Sequence, residues 1–213
     1  MQFSYLEKFF PKIEKLDLPG KEAQALLAPE FRKAFLEQDL NFPDAKKAGV
    51  LILLYPSVDK LVNFALIQRN TYRGVHSNQI AFPGGKVEKG DSSLIATAIR
   101  ETEEEIGVAA SSVKILRQLT ELYIPPSNFM VYPTVGAIDY IPKFVKQHDE
   151  VKQVIEVKLE HFLKHTPIET QSISTSYAHQ KDVLAFKING HVVWGATAMM
   201  LSEFKVMMNS VLG

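Results

Sequence analysis

Between Arg100 and Val108 the chain reads Arg-Glu-Thr-Glu-Glu-Glu-Ile-Gly-Val, with four acids in five consecutive positions. The surrounding spacing predicts a helix from about Ser92 to Ile106, with Asp91 or Ser92 capping its first turn and Gly107 ending it. On that helix Ile95, Ile99, Thr102 and Ile106 fall on one buried stripe. Glu101, Glu104 and Glu105 stand at i, i+3 and i+4, so their carboxylates share a face opposite the stripe. Like charges so placed repel by roughly a few tenths of a kcal/mol per pair. Taken alone, such a cluster is more often a solvated acidic face. The loop in front of it shifts the balance. Pro83-Gly84-Gly85 permits tight backbone geometry and brings main-chain N–H groups toward the same helix, where a phosphate can sit. A divalent cation would turn the repulsion into attraction, because Mg²⁺ and Mn²⁺ prefer carboxylate oxygens. Arg100 is placed to brace one of the carboxylates.

The rest of the chain reads as one α/β domain with helical additions. Residues 1–46 carry Phe3, Leu6, Phe9 and Phe10, then Ala23, Leu26 and Leu27, at near-helical spacing, and are expected to form an extension of one or two helices whose aromatics pack on the domain. From residue 47 onward the pattern is that of the main domain. GVLILLYPS and LVNFALIQR read as a β-hairpin, and TYRGVHSNQ as a loop. VKILRQLTELYI, MVYPTVGAIDYI and KQVIEVKL are strand-rich, and LEHFLKH is a short helix. VLAFKING-HVVWG reads as a hairpin turning at Asn189-Gly190. The closing segment is an amphipathic helix whose Met199, Met200, Met207 and Met208 suit a core or an interface, which leaves room for a homodimer.

Composition excludes several chemistries. Lys plus Arg and Asp plus Glu both number 24, so no chain-wide basic footprint points to nucleic acid. With no cysteine there is no disulfide, thiolate metal site or Cys nucleophile. No stretch approaches the ~20 apolar residues of a membrane span, and the start lacks a leader's apolar run, so the expected setting is cytoplasmic and away from membranes. Neither a G-x-S-x-G elbow nor a P-loop or dinucleotide fingerprint occurs.

The segment from Gly85 to Val108 resembles the signature of the Nudix hydrolases, G-x5-E-x7-R-E-U-x-E-E-x-G-U, where U is a bulky apolar residue. Arg100-Glu101 to Gly107-Val108 matches its second half, with Thr102 at the first U. In the first half Asp91 replaces Glu, and one extra residue precedes Arg100. That spacing is similar to the coenzyme A pyrophosphatase branch. So is the stretch from Leu66 to Gly85, which keeps Arg69 and an intact Phe82-Pro83-Gly84-Gly85. Gly74 stands there where the branch has a second arginine, and Asn78 where it has a glycine. The likeness extends to Trp194-Gly195-Ala196-Thr197-Ala198.

The resemblance implies a Nudix-type α/β/α sandwich with a mixed sheet, and hydrolysis of a diphosphate in a small-molecule nucleoside derivative. Glu101, Glu104 and Glu105, with backbone help from Gly85, would hold Mg²⁺ or Mn²⁺. Arg100 would orient them. Glu104 or Glu105 would act as general base, with Glu150 as the residue from outside the helix. Arg69, Arg73, His76, Gln79 and Gly84 would contact the substrate. Coenzyme A or an acyl-CoA, cut to 3′,5′-ADP and 4′-phosphopantetheine, is the leading substrate. ADP-ribose, a dinucleotide or a nucleoside triphosphate is the alternative, and a non-catalytic nucleotide-binding module the third reading. Trp194 offers a ring for an adenine, against core packing as the plainer role.

Overall fold

The computed structural model describes residues 1–30, 32–33, 42–70, 78–174 and 181–213. Three short helices come first: α1 (Phe3–Leu6), α2 (Phe10–Lys15) and α3 (Gly20–Ala25). The apolar runs then form β1 (Lys46–Pro56) and β2 (Val62–Arg69), followed by the short β3 (Ile80–Ala81) and β4 (Gly84–Lys86). The acidic helix is α4 (Leu94–Ile106). After it come β5 (Lys114–Gln118), β6 (Leu122–Ile124), β7 (Phe129–Ala137), β8 (Val151–Lys158) and α5 (Leu159–His165). The chain closes with β9 (Ile168–Ile173), β10 (Lys181–Ile188), β11 (His191–Val193) and α6 (Gly195–Leu212).

The main sheet is mixed. β1 and β2 are antiparallel neighbours, whereas β1 and β7 run parallel, Lys46 beside Phe129 through Leu54 beside Ala137. Strand β8 pairs with β2, β5 and β6 with β7, and β4 with the start of β1. A strand buried on both faces reads as an unbroken apolar run, and β1 is one. Its Leu51, Leu53 and Tyr55 join the layer that contains Ala98 and Ile106 of α4. Its Ile52 and Leu54 face the other layer, with Phe204, Met207 and Met208 of α6. Phe3, Leu6, Phe10 and Ile13 of the N-terminal helices pack into that second layer. The four methionines of α6 singled out in the sequence are all buried in this core, which decides between core and interface. The result is the expected α/β/α sandwich. A separate three-stranded sheet, β11-β10-β9, stands beside it. Its turn at Asn189-Gly190 has both residues at positive φ, as the sequence requires. Among the described residues no helix is long and apolar enough to cross a membrane.

Two local expectations are corrected. Ser93, rather than Asp91 or Ser92, caps α4, its Oγ accepting from the Ala96 N–H at 3.0 Å. The buried stripe also differs. Ile95 and Ile99 are only half-buried, and the inward line runs through Thr97, Ala98, Thr102, Glu105 and Ile106. The cause lies on β1: a Cβ at Gly49 would fall 2.2 Å from the Leu94 carbonyl oxygen, so helix and sheet meet closely at small residues. Thr102 tolerates burial because its Oγ donates to the Ala98 carbonyl at 2.6 Å.

Candidate active site

The carboxylates of α4 do not share one solvent-facing side. Glu105 is turned inward and is 2% exposed. The Gly84 N–H donates to its Oε2 at 2.8 Å, and an Arg69 terminal nitrogen lies 3.4 Å from its Oε1. Burial raises its pKa to about 7 against these two opposing contacts, with Glu101 and Glu150 pushing in the same upward direction. Glu101 is also raised, first by burial. Its carboxylate lies against the backbone of Gly85, where a Cβ would sit 2.4 Å from the Glu101 Cδ. Glu104 is more than half exposed. Glu103, the fourth acid, faces elsewhere and accepts from the Ala110 N–H.

Arg100 organises this cluster. Its Nε lies 2.9 Å from Asp91, and its two terminal nitrogens lie 3.0 Å from Glu101 and from Glu104. One of them also donates to the Lys86 carbonyl at 3.2 Å. Asp91 is therefore not a helix cap but a brace for Arg100. It accepts from the Glu88 N–H and the Thr97 hydroxyl as well. Hydrogen bonds from Arg100 hold its carboxyl well below the usual range. The one-residue insertion before Arg100 thus leaves the shorter Asp side chain within reach.

Among the described residues no three acidic or histidine side chains are gathered closely enough to enclose a cation. The physical reason is visible: Arg100 draws Glu104 outward while the Gly84 N–H holds Glu105 inward. The donor chemistry nevertheless fits a hard divalent ion. Beyond burial, the negative charges of Glu104 and Glu150 push the Glu101 carboxyl up, those of Glu101 and Glu150 push Glu105 up, and Gly85 leaves room for the Glu101 carboxylate beside the backbone. Positive charge at that place relieves the repulsion.

Of the remaining residues, Arg69 bridges the acids, 4.0 Å from Glu150 and 3.4 Å from Glu105. Glu150 is itself exposed. Gln79 accepts from the Arg69 N–H through its carbonyl at 3.0 Å. Arg73, Gly74 and His76 lie outside the described residues. Asn78 has φ of 57°, the left-handed conformation that glycine favours and asparagine tolerates.

A cavity of about 330 Å³ opens beside the glycines. Arg69, Gln79, Phe82, Gly84, Gly85 and Lys86 line one side. Trp194 and Thr197 line another; Trp194 is half-buried at this wall rather than in the core. The Thr197 hydroxyl donates to the Ile80 carbonyl at 2.9 Å and so pins the start of α6 over the cavity. Sequence reasoning did not find Arg32, which also lines it. Its only signal was a lone arginine in the uninformative N-terminal stretch.

Comparison with known proteins agrees with this geometry. The family model described as NUDIX domain matches residues 45–173. An uncharacterized Nudix hydrolase NudL of Yersinia enterocolitica is 33% identical over 144 residues, covering 68% of this chain and 73% of that protein. A NudL of Yersinia pestis is 33% identical over 145 residues, covering 64% of this chain and 67% of its own length. Among solved structures, the MutT protein from Methanosarcina mazei Go1 superposes with a TM-score of 0.50 at 18% identity, over 78% of this chain and 97% of that one.

Proposed function

The chain belongs to the Nudix hydrolase family, and on that premise we propose that its substrate is coenzyme A or an acyl-CoA, cut to adenosine 3′,5′-bisphosphate and a 4′-phosphopantetheine product. The coarser activity, hydrolysis of nucleoside diphosphate derivatives, comes with the family. The observation that carries the finer reading is the junction of Phe82-Pro83-Gly84-Gly85 with the Asp91–Arg100 brace. The extra residue that marks the coenzyme A branch is accommodated there by a 2.9 Å contact, and Asn78, where the branch has glycine, takes a left-handed backbone that glycine adopts freely.

In this reading Glu101, Glu104 and Glu105 hold Mg²⁺ or Mn²⁺, with the Gly85 backbone beside them. The ion, when bound, neutralises phosphate charge and makes water more acidic. Arg100 positions Glu101 and Glu104, since it touches both. Gly84 presents its N–H to Glu105 and fixes that carboxylate's angle. A water oxygen attacks one phosphorus, the bridging P–O bond breaks, and the second phosphate leaves. The water proton passes to a carboxylate. Glu104 or Glu105 is the carboxylate assigned to that task in this reading. Glu150 steers Arg69, whose guanidinium binds substrate phosphate, with Arg73, His76, Gln79 and Gly84 completing the substrate contacts. Residues 47–213 form the hydrolase domain in this proposal, and 1–46 its helical extension. The setting is cytoplasmic, and the ligand is a small molecule rather than nucleic acid or membrane.

The test is a product assay on coenzyme A with Mg²⁺ or Mn²⁺, and with metal omitted as control. Adenosine 3′,5′-bisphosphate and phosphopantetheine are expected only with metal. Intact coenzyme A at high enzyme concentration, beside rapid cleavage of ADP-ribose or a dinucleotide, overturns the substrate assignment.

A further inference from the structure

The segment between β7 and β8, residues 138–150, is fastened to the end of the acidic helix. The last carbonyls of a helix lack partners within it. Here the Val145 N–H donates to the Ile106 carbonyl at 3.0 Å, and the Gln147 N–H to the Glu105 carbonyl at 2.9 Å. The side chain of Gln147 then reaches forward along its own chain. Its Oε1 accepts from the Asp149 N–H at 2.6 Å and from the Glu150 N–H at 2.8 Å. Its carbonyl accepts from the N–H of Val151, the first residue of β8, at 2.9 Å. Asn70 clamps the same turn from the other side. Its N–H donates to the Glu150 carbonyl at 2.8 Å and its Nδ2 to the His148 carbonyl at 2.6 Å.

These contacts close a circuit. The Glu105 carbonyl holds the backbone of Gln147, and the Gln147 side chain holds the backbone of Glu150. The Glu150 carboxylate stands 4.0 Å from Arg69, which stands 3.4 Å from the Glu105 carboxylate. The link from Glu150 to Arg69 is the weak one. The Glu150 side chain is 53% exposed, and an ion pair so solvated contributes little toward fixing a side chain. The direction of that carboxylate is therefore set by its backbone turn, and the turn is held by Gln147.

Building on the function proposed above, we propose that Gln147 is a positioning residue: its amide oxygen fixes the turn that aims Glu150 at Arg69, and so places the guanidinium that meets the substrate phosphate. The Gln147 side chain touches no reacting atom in this assignment. Its loss frees two N–H groups in an exposed turn, where water replaces the lost acceptor, so the fold survives while the aim is lost. The backbone N–H of residue 147 is kept by any substitution other than proline. The strap to Glu105 therefore stays in place, and the effect of the side chain is isolated.

The experiment is a double-mutant cycle between Gln147 and Glu150, read in turnover of coenzyme A with Mg²⁺, and of ADP-ribose under the same conditions. Gln147→Ala should lower kcat/KM about tenfold, mostly through KM because Arg69 grips the phosphate before and during reaction. In a Glu150→Ala background the same change should cost less than about twofold. Gln147→Asn, whose amide oxygen can cap a turn, should recover activity to within about threefold of the parent. Independently of turnover, NMR should show faster exchange of the Asp149 and Glu150 amides with water in Gln147→Ala, with melting temperature within about 3 °C of the parent. Equal losses in both backgrounds, parental activity in Gln147→Ala, or unchanged exchange at the two amides overturns the proposal. Should Gln147→Ala fail to fold, Gln147→Met, similar in shape but without the amide oxygen, takes its place in the same cycle. Cleavage of ADP-ribose alone, with the expected coupling, sinks the coenzyme A reading and supports this inference. Cleavage of neither sinks the functional reading, and amide exchange then judges Gln147 by itself.

Discussion

Glu105 concentrates the conflict between stability and activity in one side chain. Its folded pKa of about 7 exceeds the ordinary value, so the native state holds a proton that the unfolded chain releases earlier. Stability of the metal-free protein should therefore fall as pH rises from about 4.5 to 7, and level off beyond. Glu105→Gln keeps an oxygen for the Gly84 N–H but removes the charge. It should raise the melting temperature at pH 8, flatten that pH dependence, and lower kcat by about a hundredfold or more. Melting curves from pH 5 to 8 without metal check the first part, and turnover checks the second. Unchanged melting at pH 8 would show that the carboxylate is not strained. A second test concerns Asn78. Asn78→Gly should leave stability within about 0.5 kcal/mol, whereas Asn78→Val should cost about 1–2 kcal/mol because a β-branched residue resists positive φ. Chemical unfolding separates the two.

At the scale of elements, the loop and helix around the acids act as one braced unit. Asp91→Asn removes the charge opposite Arg100 and should cost about 1–3 kcal/mol at neutral pH. Asp91 has its folded pKa lowered, so its stabilisation is present above about pH 4 and disappears as pH falls below. The melting-temperature gap between the parent and Asp91→Asn should therefore narrow progressively as pH is lowered below about 4, with part of it still present at pH 3. The substitution should also reduce kcat, because Glu101 and Glu104 lose a fixed neighbour. Most of these elements were legible in the sequence. The β1–β2 hairpin, α4 with Gly107 at its end and the Asn189-Gly190 turn announce themselves through period and turn chemistry. Strands β3 and β4 are too short to show a period, and β9 alternates polar residues without an apolar rhythm, so none of the three was seen. The inward turn of Glu105 was hidden for another reason. Helical spacing groups it with Glu101 and Glu104 on the face away from Ile106, whereas the Gly84 N–H and Arg69, both distant in sequence, are what make its burial tolerable.

For the whole molecule, the latch between the additions decides whether the cavity keeps its shape. Glu203 is fully buried and accepts from Gln24, the Thr120 N–H at 3.1 Å and the Thr120 hydroxyl at 2.7 Å. Glu203→Ala would orphan these donors and should lower stability by about 2–4 kcal/mol, or several degrees in melting temperature. Retention of parental stability would show that the three segments are not joined there. Sequence reasoning could not assign residues 1–46 to this role, because a helix's apolar stripe says that it packs but not on what. Arg32 was invisible for the same reason: its meaning comes from the wall it joins.

The parallel alignment of β1 with β7 carries a consequence for the birth of the protein. The sheet's central pair joins an early strand to one that leaves the ribosome much later, so one edge of GVLILLYPS waits for β7 while β2 and β4 pair along the other. Such long-range closure slows the search for the native state, and the waiting strand is a natural client for a chaperone that grips bare hydrophobic segments.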